Sequence, residues 1–138
     1  MEATKLTPEQ QQYLNDMANY GKRLEQLAVA SVGKYVAAGY ANNIQKVAKM
    51  YCYCGTGKGY EGVCVVPANG NAVVFTSKAA AEQVANQLYC ENGKGERITF
   101  SVMPANEYFW LLYDNLCVTL KEAERLMRIN IKNRNGQK

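Results

Sequence analysis

Histidine is absent from the 138 residues. Its absence removes the commonest general base, the Ser-His-Asp and Cys-His pairings, and imidazole metal ligands together. Paired carboxylates are lacking too, since Glu122 and Glu124 stand two apart and diverge on a helix. No catalytic residue is assigned, and a protein that is not an enzyme is expected. No apolar run approaches the roughly 18 residues that cross a bilayer. Met1-Glu2-Ala3-Thr4-Lys5 lacks the basic-then-apolar order of a signal peptide. A cytoplasmic protein with no membrane partner is expected. No C-x2-C knuckle occurs among Cys52, Cys54, Cys64, Cys90 and Cys117, whose odd number and irregular spacing also fit no secreted disulfide framework. Small buried thiols in reduced form, with no metal and no cofactor, are the expectation.

What is present describes a folded chain. Hydrophobic residues make up 48% and charged residues 20%, which suits one globular domain over 1–138. From Val118 to Lys138 there are six basic residues and two acidic ones, so this segment carries the whole excess of +4. An anionic partner is to be sought there.

The pattern along the chain predicts an α+β fold with a long N-terminal helical segment and a small three-stranded sheet under covering helices. Thr7-Pro8-Glu9-Gln10 is a capping box with proline at the first helical position. Tyr13, Met17, Tyr20, Leu24 and Leu27 form one apolar stripe; Val32, Val36, Tyr40, Ile44, Val47 and Tyr51 form a second. Helix is predicted over most of 8–52, with a break near Gly33 or Gly39. A straight helix of that length would run about 67 Å, against a radius of gyration near 14 Å for such a chain. The segment must fold into a hairpin or pack on another copy, and a homo-oligomer (dimer or higher) held through these helices is expected. The remainder, 53–138, forms the ligand-binding part.

Val63–Phe75 reads as a hairpin turning at Asn69-Gly70. Thr76 or Ser77 caps a helix that Asn92-Gly93 ends. Arg97–Met103 alternates as a strand. Asn106 caps one helix, and Thr119-Leu120-Lys121-Glu122 opens a last one.

Three constellations bear on binding. Lys121, Arg125, Arg128 and Lys132 share a helix face at steps of 4, 3 and 4, and Arg97 begins a strand that could approach them. Guanidinium groups take phosphate through paired hydrogen bonds; the alternative is a solvated face complementing the helix dipole. Gly55-Thr56-Gly57-Lys58-Gly59 fails the phosphate-loop pattern because it precedes a strand, leaving either an anion nest with Lys58 or a plain turn. Phe75 and Trp110 could stack on a base, although core packing is their ordinary use.

The helical segment 8–52, the Val63–Phe75 hairpin, the strand Arg97-Ile98-Thr99-Phe100-Ser101-Val102 and the basic helix with Arg125 and Arg128 together resemble the phage Thoeris anti-defence family. Members of that family act as sponges for cyclic ADP-ribose-type immune signals. The resemblance implies a phage-encoded binder in the host cytoplasm that sequesters a cyclic nucleotide without turning it over. It implies Phe75 as the stacking residue, Asn86 or Asn92 as polar contacts, and Arg97, Arg125 and Arg128 on phosphates. Lys58 would form a second anion site. Two other readings stand beside it: a protein-binding inhibitor of a bacterial defence or nuclease complex, and a small nucleic-acid-binding protein, the latter disfavoured by a neutral body.

Overall fold

Thr7 opens the first helix, α1 (Pro8–Ala30), as its sequence dictates. Its hydroxyl accepts from the Gln10 N–H at 3.1 Å while its own N–H donates to Gln10 Oε1 at 3.0 Å. The structure is a computed structural model and describes residues 6–56 and 63–136. Leu14, Gly21, Leu24 and Ala28 form the buried stripe of α1, and Gly33 turns the chain beyond it with a φ of +78°.

The helix predicted to run toward residue 52 stops at Ala30. Strand β1 (Tyr35–Ala41) follows, then a 3-10 turn at Val47–Lys49 and strand β2 (Met50–Thr56). The reason lies in position. β1 is the central strand, covered on both faces, so its residues are buried in a continuous run that carries no period of two. In β2 the alternation is plain, with Met50 and Cys52 in one core cluster and Tyr51 and Tyr53 against the other.

The sheet has five strands, not three, in the order β3-β2-β1-β5-β4, with every pairing antiparallel. β3 is Val63–Pro67, β4 Cys90–Glu91 and β5 Arg97–Pro104. Two residues are too few for β4 to carry a period. The Val63–Phe75 hairpin does not form, because β3 pairs with β2 and the Asn69-Gly70 turn gives its amides to helix tyrosines. Tyr108 Oη accepts the Asn69 N–H at 3.0 Å, and Tyr20 Oη accepts the Gly70 N–H at 2.9 Å. The chain then crosses to the far ends of β1 and β2. There the Val73 N–H donates to the Tyr53 carbonyl at 3.0 Å, and Phe75 exchanges both backbone bonds with Tyr35.

Helix α2 (Lys78–Gln87) is capped by Ser77, whose hydroxyl accepts from the Ala80 N–H at 3.3 Å, and it ends at Leu88 rather than Asn92. The two C-terminal helices are one, α3 (Ala105–Gly136). Thr119 does not cap; its hydroxyl donates back to the Asn115 carbonyl at 2.9 Å, and neither glycine nor proline interrupts the helix before Gly136.

Three layers result. On one face α1 and α3 cover Val36, Ala38, Met50 and Cys52, burying Leu24, Tyr108 and Phe109 completely. On the other, α2 buries Ala81 and lays Ala85 beside Ala37 and Phe100. Burying a side chain the size of Leu or Phe contributes about 1.5–3 kcal/mol. α1 and α3 run antiparallel: Leu24 and Leu27 lie at the turn that Tyr108 holds, while Gly21 faces Tyr113 and Leu116. The α1 stripe is thus used inside its own chain, and helix length no longer demands a second copy.

Cys54 is disulfide-bonded, which corrects the expected reduced set; Cys52, Cys90 and Cys117 are free thiols. One bridge needs only two of five cysteines, so an odd count did not exclude it. Such a bond is uncommon in a reducing cytosol. Among the described residues no helix is long and apolar enough to cross a membrane.

Candidate functional site

α2 is short, and it shields only the β1 and β5 part of its face. The rest of that face is a groove. Its floor and walls are Tyr51, Val65, Cys90, Glu91, Asn92, Gly93 and Ile98, and its volume is about 410 Å3. A second hollow of about 270 Å3, lined by Ala48, Lys49, Tyr51, Asn92, Gly93, Lys94 and Glu96, shares Tyr51, Asn92 and Gly93 with the first. Beyond Tyr35, β1 turns the small residues Ala37, Gly39 and Ala41 to this face. Gly39 is obligatory there, because a Cβ would overlap the Thr99 carbonyl of the neighbouring strand.

The β4–β5 turn forms the rim, and Asn92 builds it. Asn92 Oδ1 accepts the N–H groups of Lys94 at 3.0 Å and Glu96 at 2.9 Å. Asn92 Nδ2 donates to Glu96 Oε1 at 3.0 Å and to Tyr51 Oη at 3.4 Å. Glu96 also receives Asn42 Nδ2 at 3.0 Å and forms an ion pair with Lys49 Nζ at 3.2 Å. The Asn92 amide, followed by Lys49, holds the Glu96 carboxyl below the usual carboxylate range. Glu96 is therefore an ionised, saturated anchor. Lys94 makes no salt bridge among the described residues, and it lines the second hollow, whereas the charged residue lining the first is Glu91. Burial pushes the Cys90 thiol up, keeping it protonated and a poor nucleophile at neutral pH. The two hollows together can hold a ligand with a flat apolar part on Tyr51, Val65 and Ile98, beside the acid Glu91, and an anionic part at Lys94 in the adjoining hollow.

The residues singled out from sequence are dispersed. Asn92 belongs to the groove, but its side chain is committed to the turn. Phe75 stacks on Tyr53 with ring centroids 6.1 Å apart and 18° between planes, and Trp110 lies edge-on to Tyr113. Asn86 is exposed on α2. The Arg97 guanidinium lies 4.8 Å from the ring centre of Tyr89. Arg125 and Arg128 bind Glu122 and Glu124 of their own helix, about 20 Å and more along the axis past the buried Leu112. Lys58 and its glycine neighbours from 57 to 59 lie outside the described residues, as does the side chain of Lys132.

Sequence reading missed Tyr51, Lys49, Lys94 and Glu96. Their signals were present: the alternation Met50-Tyr51-Cys52-Tyr53, and Asn92-Gly93-Lys94-Gly95 as a two-strand turn rather than a helix end. Among the described residues no cluster of three or more potential metal ligands occurs. The chain matches no protein-family model, no curated protein and no solved structure.

Proposed function

We propose that the protein is a non-catalytic binder of a small phosphorylated nucleotide, seated in the groove beside the β4–β5 turn. The supporting observation is a pair of adjoining hollows that share Tyr51, Asn92 and Gly93. One, of about 410 Å3, has Tyr51, Val65 and Ile98 on its floor and Glu91 as its one charged lining residue. The other, of about 270 Å3, is lined by Lys49, Lys94 and Glu96, a size suited to one small ligand and not to a polymer. A base packs on the Tyr51 ring against Val65 and Ile98. Its phosphates meet Lys94 in the adjoining hollow, where Lys49 is already paired with Glu96. The absence of histidine and the protonated state of Cys90 favour holding a ligand over transforming it.

The resemblance to the anti-defence sponges makes cyclic nucleotide signals of the cyclic ADP-ribose type the first ligands to try, with sequestration from a bacterial defence effector as the biological outcome. In this reading Tyr51 takes the stacking role first given to Phe75, and Lys94 takes the phosphate role first given to the arginines of α3.

Titration calorimetry with AMP, ADP-ribose and cyclic ADP-ribose tests it. A saturable one-to-one isotherm is expected, weakened at least about tenfold by Lys94→Glu and by Tyr51→Ala, with the nucleotide recovered intact after heating. No heat from any of the three at millimolar concentration, an isotherm indifferent to both substitutions, or recovery of a cleaved product would each reject the reading.

A further inference from the structure

We propose that the outward face of α3 is a two-fold self-docking surface that joins this chain to a second, antiparallel copy. This inference is independent of the groove and rests on different residues.

α1 occupies one side of α3, against Leu116 and Leu120. The opposite side is uncovered, and it is not the polar surface expected of a solvated helix. Val118 is 69% exposed, Leu126 47% and Ile129 36%. Val118, Glu122, Arg125 and Ile129 follow one another at steps of 4, 3 and 4, the spacing of a coiled-coil seam. Read in either direction the seam is apolar, charged, charged, apolar, with the acid and the base exchanged.

That order identifies the occupant. Consider a second copy laid antiparallel about a two-fold axis passing between Ala123 and Glu124. Val118 then meets the partner's Ile129, and Glu122 meets the partner's Arg125. The same contacts recur on the other side of the axis, as an isologous interface requires. A parallel arrangement in register would set Glu122 on glutamate and Arg125 on arginine, so the charge pattern selects the antiparallel one. Leu126 flanks the axis and closes the apolar patch. Glu122 and Arg125 are paired within the lone helix, but both are more than half exposed and such a pair contributes little. Exchanging it for two pairs across the axis costs little, and burial of the six apolar side chains drives the association.

Sedimentation equilibrium of the full chain tests the proposal, with far-UV circular dichroism confirming that each variant is folded. A dimer is expected for the unaltered protein. Val118→Glu and Glu122→Arg should each weaken it at least about tenfold, since each buries an unmatched or like charge. The double exchange Glu122→Arg with Arg125→Glu restores the complementarity and should restore the dimer. A monomer at all accessible concentrations would overturn the proposal. So would a dimer insensitive to both single substitutions, or a double exchange that fails to recover what Glu122→Arg lost.

Discussion

The Tyr108 hydroxyl serves both backbone groups of Asn69: it accepts the N–H at 3.0 Å and donates to the carbonyl at 2.8 Å. A side chain wholly buried in the α3 layer thereby closes the turn that redirects the chain after β3. Burial, and next the Cys52 thiol beside it, pushes the phenol far above its ordinary pKa, so it is a neutral donor at every physiological pH.

Tyr108→Phe keeps the ring and strands both groups of Asn69. It should lower stability by about 1–3 kcal/mol, read as a shift in the urea midpoint at unchanged slope. An unchanged midpoint would mean that the turn finds other partners.

Glu96 gives a pH signature. Its folded pKa is depressed, so its stabilisation is complete above the unfolded carboxylate value near 4.3 and is lost as pH falls through the lower folded value. Wild type should therefore lose more stability than Glu96→Gln as the pH falls below the unfolded carboxylate value and through the lowered folded one. Parallel acid titrations followed by tyrosine fluorescence would reveal it; superimposable curves would deny Glu96 its anchoring role.

Gly39→Ala presses a methyl group into the Thr99 carbonyl across the central ladder. The strands must part, at a cost of at least about 1–3 kcal/mol. Thermal unfolding should show it, and a variant as stable as wild type would contradict the close approach of β1 to β5.

Thr119→Ala removes only a hydroxyl that already bonds within its own helix. Helix content should stay constant and stability should rise by a few tenths of a kcal/mol, up to about 0.7. A drop in ellipticity would mean that Thr119 caps a separate helix after all.

Local chemistry was legible where one side chain decides the structure. Thr7 and Ser77 cap their helices, Arg97–Pro104 alternates, and the seams of α1 and α3 are apolar at helical spacing. What misled was burial on both faces. Val36 and Tyr40 imitate a helical stripe because the central strand never meets water on either side, and only the sheet around them reveals it. The hairpin at Asn69-Gly70 failed for a related reason: the turn is local, but the groups that claim its amides are Tyr20 and Tyr108, one in each long helix. The groove depended on four strands meeting across the sheet. Asn92 could be noticed in the sequence, yet its use as a turn builder, rather than a ligand contact, appears only once Lys94, Glu96 and Tyr51 surround it.

The placement of β1 between β2 and β5 has a consequence during synthesis. β2 emerges within about a dozen residues of β1, whereas β5 lies some sixty residues downstream. Until the ribosome delivers it, one flank of β1 offers bare amides and carbonyls to any extended chain nearby. Growing chains halted before Arg97 should be the aggregation-prone species, and those that include β5 should be relieved of it.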